Sequence, residues 1–375
     1  MGIDGDQVNC QPVPRRRLDV RASNAHIPGV MTDPNDLFAA TMAAAGFAPP
    51  ELPEELPKPA AIEAADRISR SWISRHAGAL YVGSPEHLHE TCRMFRETFN
   101  PYRPAVIAWP RLSPDMLQRL TSLPIWDIAV HTEGRARLRF ASYAATVQTP
   151  EVRDVVMLNA WEENRHKEVL GNLVRTYGIA LGPEPAYRVP RDPEWMYLVT
   201  GYSECIDSFF AFGLFELARR SGFFPTELVE TFEPVIQEEC RHILLFANLV
   251  AWQRASLPWW RRIVFEGRVM AAWGYIGWER LVLARSMKTS GMGTGQDSNF
   301  TASTAQAVAP VEIGVRDLMA LCLEENDRRF AEYDARLVRP RTMPALARAF
   351  LYLTRLWPKK RSIERQSDER SPAGG

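Results

Sequence analysis

Two short segments of the chain combine acidic residues with a histidine, and they lie 76 positions apart. The first reads Glu-Glu-Asn-Arg-His at 162–166, and the second reads Glu-Glu-Cys-Arg-His at 238–242. On a helix, a Glu three residues before a His places a carboxylate and an imidazole one turn apart on the same face. Both groups bind metal ions. One such pair is a weak signal, because Glu and His are also common on solvated helix surfaces.

The residues around each pair form an otherwise apolar helical face. The positions at helical spacing from Glu163 and His166 are Val152, Val156, Asn159, Leu170, Leu173 and Tyr177, and those around Glu239 and His242 are Leu228, Phe232, Val235, Phe246 and Leu249. An ionised carboxylate that is buried without a partner costs several kcal/mol. Two Glu/His pairs in an apolar core therefore need a compensating positive charge, which a metal ion supplies.

Long helices are needed to position these pairs, and the sequence predicts them. The expected ranges are 126–148, 151–177, 193–220, 226–254, 260–289 and 311–337, with short helices at 84–99 and 113–123 and another after Met343. Pro and Gly separate these ranges, for example at Pro150, Gly222 and Pro258. Because β-branched alternation is nearly absent, we predict an all-α protein built as a bundle.

The flanking segments differ from this helical part. Residues 1–60 hold nine of the 28 prolines and predict a poorly ordered arm or a wrapping segment. A helical domain is expected over 61–357, with its metal-binding core at about 126–254. The Gly/Ser/Thr-rich stretch 289–304 is compatible with a disordered loop or a lid, and the charged end, 358–375, predicts a disordered tail.

Two further glutamates are candidates because of hairpin geometry. In an antiparallel helical hairpin, residues equidistant from the turn lie at the same level. If the first turn is centred near position 148, the residue level with Glu163 is Glu133. If the second is centred at position 221.5, the residue level with Glu239 is Glu204. For Glu133 the alternative is an exposed i,i+4 ion pair with Arg137.

The complete candidate set joins four carboxylates to two imidazoles. Its members are Glu133, Glu163, His166, Glu204, Glu239 and His242. The four negative charges of this set balance two divalent ions, and oxygen-rich ligands suit iron or manganese better than zinc or copper. One Glu from each of two helices and Glu-x-x-His from the other two is the ligand pattern of di-iron carboxylate proteins. We therefore predict two Fe ions, with Mn/Fe as an alternative.

On these residues the chain resembles the ferritin-like di-iron superfamily, which includes acyl-carrier-protein desaturases, bacterial multicomponent monooxygenases, arylamine oxygenases and ribonucleotide reductase small subunits. The string at 162–166 is close to a desaturase motif, and the resemblance covers about residues 126–254. It implies a ferritin-like four-helix bundle core with extra N- and C-terminal helices. It also implies that Glu162 and Glu238 hold ligand histidines, and that Ser208 lies in the oxygen-activation pocket. Leu170, at the place of the radical tyrosine of reductase subunits, argues against a stable tyrosyl radical.

Composition excludes several classes of protein. The chain has 375 residues with 45 basic and 45 acidic side chains, and no basic excess indicates nucleic-acid binding. Five cysteines without a C-x-x-C pair argue against a disulfide scaffold and fit a reducing cytoplasm. No apolar run is long enough to predict a transmembrane segment.

The resemblance implies a non-haem di-iron oxygenase or oxidase. Such an enzyme activates O2 to hydroxylate, desaturate or N-oxygenate a small organic substrate, free or carrier-bound. Because the sequence has neither G-x-G-x-x-G nor an Fe–S cysteine cluster, the electrons are expected from a ferredoxin or a reductase. The alternatives are an iron-storage or peroxide-detoxifying protein and a non-catalytic helical scaffold. A homodimer is compatible with the sequence.

Several weaker signals have two interpretations. The small residues Gly201, Ser208 and Ala211 indicate either space beside the metal or close helix packing. The tryptophans of 252–278 indicate ordinary packing, a pocket for an apolar substrate, or a helix lying on a membrane. The segment 324–328 resembles the two Glu/His motifs but has no histidine. It predicts a helix face that is exposed to solvent.

Overall fold

A computed structural model of the chain describes residues 34–53, 58–104, 107–123, 125–289 and 313–356. In these ranges the chain forms eleven α-helices and a single isolated β-bridge, so the all-α prediction is confirmed. The helices are α1 (Pro34–Ala44), α2 (Pro59–Arg70), α3 (Pro85–Glu97), α4 (Pro114–Thr121), α5 (Trp126–Ala144), α6 (Pro150–Thr176), α7 (Pro193–Ser221), α8 (Thr226–Ser256), α9 (Trp259–Thr289), α10 (Val315–Phe330) and α11 (Thr342–Leu356).

Four long helices, α5 to α8, form the centre of the molecule. Helix α5 packs against α6 and α7, and α8 packs against the same two helices. Short turns join α5 to α6 and α7 to α8, which makes each pair an antiparallel hairpin. Pro150 and Pro193 occupy the first turns of α6 and α7, where a missing N–H costs nothing. Gly222 ends α7 in the left-handed conformation with φ of 62°.

The other helices surround this centre. Helix α3 packs against α6 and α8, α9 against α7 and α8, and α10 against α7. Ser84 caps α3 by accepting a hydrogen bond from the backbone N–H of His87. The largest apolar cluster joins residues of α3, α5, α6, α7 and α8, so the core extends through the bundle.

Two helices end at least four residues earlier than their patterns predict. Helix α5 stops at Ala144 rather than 148, and the N–H of Thr146 closes a turn on the carbonyl of Tyr143. Helix α10 stops at Phe330 rather than 337. There the backbone leaves the helix to exchange hydrogen bonds with Trp72, whose N–H donates to the carbonyl of Glu332.

The proline-rich N-terminal part contains a helix that its composition does not suggest. Helix α1 lies within the segment 1–60 and packs on α5, and the ring of Phe38 is buried there. Residues 1–33, the predicted loop beyond Thr289 and the predicted tail at 358–375 lie outside the described ranges.

No helix among the described residues is long and apolar enough to cross a membrane. The four described cysteines, Cys92, Cys205, Cys240 and Cys322, carry free thiols. Burial raises the pKa of the Cys240 thiol to about 12, so this side chain is a small apolar core residue at neutral pH.

Candidate metal centre

Glu163, His166, Glu239 and His242 converge between α6 and α8. One ligand atom from each lies within 4.8 Å of the other three. Nδ1 of His242 is 2.8 Å from Oε1 of Glu163, and Nδ1 of His166 is 3.1 Å from Oε1 of Glu239. The two imidazole rings stack with their centroids 5.3 Å apart. The two motifs of the sequence therefore form one group that could bind a metal ion.

The acidic residue before each glutamate binds the histidine of the opposite helix. Nε2 of His242 is 2.9 Å from Oε2 of Glu162, and Nε2 of His166 is 2.8 Å from Oε2 of Glu238. Because a carboxylate oxygen accepts hydrogen bonds, each Nε2 carries the donated proton. In the neutral imidazole the lone pair is then on Nδ1, which faces the other carboxylates.

Several polar atoms that face one another at the centre form no hydrogen bonds with one another. Nδ1 of both histidines and Oε1 of Glu163 are buried without a hydrogen bond, although they lie close to other polar atoms. Burial alone would lower the pKa of His242, but Glu163 and Glu162 raise it to about 9. The centre therefore attracts positive charge. Buried nitrogen lone pairs and carboxylate oxygens that point at a common space fit a metal ion with a preference for oxygen and nitrogen ligands.

Glu133 reaches the same centre from α5. Its Oε2 lies 4.0 Å from Nδ1 of His166. Burial, together with the carboxylates of Glu163 and Glu239, raises the pKa of Glu133 well above its ordinary value. The alternative of an exposed pair with Arg137 is wrong, because the Arg137 guanidinium is buried and donates hydrogen bonds to Asn164 and Asn35.

Glu204 approaches from α7. It is not one of the four residues whose ligand atoms lie within 4.8 Å of one another. Burial and the carboxylates of Glu163, Glu239 and Glu133 raise its pKa well above the ordinary value. Its Oε2 is buried without a hydrogen bond. Glu133 and Glu204 therefore add negative charge to this part of the core, outside the group of four residues that converge.

Two buried arginines from the same motifs neutralise the outer pair of acids. Nη2 of Arg165 donates to Oε1 of Glu238 over 2.7 Å, and Nη1 of Arg241 donates to Oε1 of Glu162 over 2.9 Å. Burial alone would raise the pKa of Glu162, but Arg241 and His242 lower it well below the ordinary range. Glu162 therefore stays ionised and accepts the histidine proton.

The end of α3 and the residues after it hold these arginines in place. Arg241 donates to the hydroxyl of Thr98 over 2.8 Å and to the carbonyl of Phe95 over 2.6 Å. Arg165 donates to the carbonyl of Asn100 over 2.6 Å, and the Tyr102 ring lies 4.1 Å from its guanidinium. The guanidinium groups are therefore held on several sides by polar and aromatic atoms.

Sequence reasoning missed Arg165, Arg241 and Tyr102. For the arginines a signal was present, because Arg stands at the same place in both motifs, one residue before the histidine. Tyr102 donates its O–H to Oε2 of Glu238 over 3.2 Å from a non-helical segment. Its position follows no periodicity, so the sequence offered no signal for it.

A cavity of about 140 Å³ lies between the central helices, toward one end of the bundle. Its walls are apolar throughout and include Trp126, Leu170, Ala211, Phe215, Phe232 and Ile236. Leu170 is one helical turn after His166, and Ile236 is one turn before Glu239. The cavity therefore begins about one turn from the ligand histidine of α6 and the ligand glutamate of α8.

The small residues of α7 lie in different surroundings. A Cβ atom on Gly201 would lie 2.2 Å from the ring of Phe246, so this glycine permits close helix packing. Ala211 lines the cavity and leaves space there. Ser208 is buried between Glu204 and Ala211 along the same helix.

Two weaker signals of the sequence can be compared with the structure. In the segment 324–328, Glu325 and Asn326 are buried, and Glu325 pairs with Arg328 over 2.6 Å, so this segment is not simply a solvated face. None of the five tryptophans of 252–278 lines the cavity. Trp252 and Trp273 pack against the core, whereas Trp259, Trp260 and Trp278 are exposed.

The fold and the site define an all-helical protein with a buried Glu/His group that could bind a metal ion. Comparison with family models, with curated proteins and with solved structures finds no match to this chain.

Proposed function

We propose that this chain is a ferritin-like di-iron protein that uses O2 to oxidise an apolar small molecule. The observation that carries the proposal is a wholly apolar cavity whose lining residues Leu170 and Ile236 are one helical turn from His166 and Glu239 of the buried Glu/His group. Two iron ions, or a Mn/Fe pair, would be held by Glu133, Glu163, His166, Glu204, Glu239 and His242. The family resemblance and the four-helix setting support this ligand set.

A pair of iron ions in such a site supplies O2 activation, with electrons delivered from outside. The protein's own contribution is orientation and exclusion of water. Glu162 and Glu238 fix the tautomer and direction of the two imidazoles by accepting their Nε2 protons. Arg165 and Arg241 form ion pairs with Glu238 and Glu162, and Nδ1 of each histidine faces the centre, where it could bind a metal.

The lining of the cavity supports one class of substrate. An apolar cavity of about 150 Å³ in another protein accepts benzene-sized ligands, and the cavity here has a similar volume of about 140 Å³. An amine or a carboxylate placed there would lose its hydrogen bonds with water and gain none. We therefore favour oxidation of a C–H bond, by hydroxylation or desaturation, over N-oxygenation. A polar part of the substrate, or a carrier attached to it, would remain outside.

The experiment uses iron-loaded full-length protein that is reduced anaerobically with dithionite, freed of excess reductant and mixed with O2. We expect rapid O2 uptake of about one equivalent per iron pair, and hydroxylated or desaturated product from a panel of small aromatic and aliphatic compounds. A chemical reductant replaces the external ferredoxin or reductase. Iron-loaded protein that reacts no faster with O2 than the Glu163→Ala variant would contradict the proposal.

A further inference from the structure

Helix α9 has an apolar face on each side. The inner face, with Phe265, Val269, Ala272 and Ile276, is buried against the bundle. The opposite face is apolar as well, although it is exposed. Its large side chains are Trp260, Ile263, Val264, Met270, Trp278 and Leu281. Trp260 is 51% exposed, Met270 74% and Trp278 61%, so this outer face has no covering among the described residues.

Three charged residues on the flanks of α9 are bound to other parts of the protein. Arg268 pairs with Asp192 over 2.8 Å, and Arg280 pairs with Asp207 over 2.9 Å. Glu266 accepts a hydrogen bond from Arg254 over 2.6 Å. At a spacing of 100° per residue, none of these side chains lies on the outer face. From Trp260 to Leu281 the outer face therefore carries no charged residue of its own, and a charged group in contact with it is the Arg261 guanidinium, 4.8 Å from the centre of the Trp260 ring.

The outer face also has a symmetric spacing. Trp260 precedes Gly267 by seven residues, Gly267 precedes Ala271 by four, and Ala271 precedes Trp278 by seven. A Cβ atom added to Gly267 would meet nothing within 4 Å, so the middle of the strip is a shallow groove between two tryptophans. These four positions read the same in both directions about position 269. In an antiparallel copy of the same helix, each tryptophan would therefore lie opposite the other tryptophan, and Gly267 opposite Ala271.

We propose that the outer face of α9 is the contact surface of a homodimer, in which α9 packs antiparallel to α9 of a second copy about position 269. In this arrangement Gly267 faces Ala271 of the second copy, and small residues at the crossing let the two backbones approach closely. Each Trp260 then covers Trp278 of the other copy.

The outer face leaves a large apolar area open to a partner. Its two tryptophans, Trp260 and Trp278, of roughly 200 Å² each, leave on the order of 200 Å² open per copy. The exposed aliphatic side chains of the same face add to this area, which brings it toward the ~800 Å² per partner typical of a stable interface. Single exposed apolar residues are ordinary, but a continuous patch of this size marks an interaction site.

A lipid surface fits the same face less well. Lipid binding gains energy from large apolar side chains along the helix and from basic side chains that reach the headgroups. The middle of this face carries Gly267, Ala271 and Gly274. The flanking Arg268 and Arg280 are bound to acidic residues of the same chain, and the Arg261 guanidinium lies over the Trp260 ring. Small residues at the centre favour helix packing.

The test is sedimentation velocity on the full-length protein over a micromolar concentration range. We expect a species with twice the 42.5 kDa mass of the chain. Ala271→Arg places a charge at the centre of the contact and is expected to weaken the dimer about 100-fold or more. Ala61→Arg, the same change on the exposed surface of α2, should leave the dimer unchanged. Circular dichroism confirms that both variants stay folded.

The register is tested by the double variant Gly267→Glu/Ala271→Arg. If Gly267 faces Ala271 of the other copy, each new Glu lies opposite a new Arg, and the dimer is expected to return. A monomeric wild type would overturn the proposal, whether or not it binds vesicles of phosphatidylglycerol and phosphatidylcholine and whether or not another part of the chain covers α9. A dimer that persists in Ala271→Arg would place the contact elsewhere and would overturn it too.

Discussion

Nε2 of His166 on α6 lies 2.8 Å from Oε2 of Glu238 on α8. The reciprocal contact joins His242 on α8 to Glu162 on α6 over 2.9 Å. Each motif thus orients the histidine of the other, and the two helices hold their candidate metal ligands in common. A change in one acid is therefore expected to act on the ligand of the opposite helix.

Glu238→Gln should weaken metal binding by about 10- to 100-fold, because the His166 ring loses the charged acceptor that sets its tautomer. Competition with a chromophoric chelator measures the affinity. Glu230→Gln is a matched control, since Glu230 is an exposed glutamate of the same helix. Equal affinity of Glu238→Gln and wild type would show that the crosswise hydrogen bond does not orient a ligand.

Arg165→Leu should lower the free energy of unfolding of the metal-free protein by about 3–5 kcal/mol, because Glu238 is then buried without its ionic partner. Urea denaturation followed by circular dichroism measures this change. The double variant Arg165→Leu/Glu238→Gln removes both charges and should recover much of the loss. A single variant that costs less than about 1 kcal/mol would mean that Arg165 does not neutralise this acid.

Ala211→Phe should fill much of the apolar cavity while leaving the metal ligands intact. We expect unchanged iron content and binding of benzene-sized probes that is weaker by at least about tenfold, or 1.4 kcal/mol. Calorimetric titration measures probe binding. Ala345→Phe, on an exposed position of α11, is the control for an added aromatic ring. If probes bind Ala211→Phe as well as wild type, the ligand pocket lies elsewhere.

Acid should remove the stabilisation provided by Asp334. This buried carboxylate accepts hydrogen bonds from Arg336 and from the backbone N–H of Ser74, which lower its pKa from 3.8 to about 2. Because the folded-state pKa is depressed, the stabilisation of up to about 2 kcal/mol is complete above about pH 4 and is lost as the pH falls toward 2.

Asp334→Asn isolates this contribution. Unfolding free energies of the variant and wild type should differ most near neutral pH and converge toward pH 2. A difference that stays constant across this range would show that the effect of the substitution is not electrostatic. Asp317→Asn, an exposed change on α10, controls for the loss of a surface acid.

The sequence was most informative where a regular period governs the structure. Long apolar stripes and proline or glycine breaks predicted the central helices to within a few residues, and the stripes located Glu163, His166, Glu239 and His242 because polar groups interrupt them. The geometry of an antiparallel hairpin also led to Glu133, whose Oε2 lies 4.0 Å from Nδ1 of His166. The roles of Glu133 and Glu204 as metal ligands stay predictions.

Contacts between distant segments could not be predicted in this way. The crosswise pairing of Glu162 with His242 depends on how α6 and α8 face each other, which neither helix encodes alone. Helix α1 forms in a proline-rich segment, where it packs against α5 and buries Phe38. This tertiary contact outweighs the low helix propensity of the segment. The early end of α10 depends on Trp72, more than 250 residues away in the chain.

Metal content tests the central claim most directly. Full-length protein produced in iron-supplemented medium, desalted and measured by inductively coupled plasma mass spectrometry, should contain about two iron ions per chain. Glu163→Ala and His242→Ala should each lose them while keeping the helical circular dichroism of the wild type. Wild-type protein with no more iron than these variants, or variants with full metal occupancy, would contradict a metal site formed by these residues.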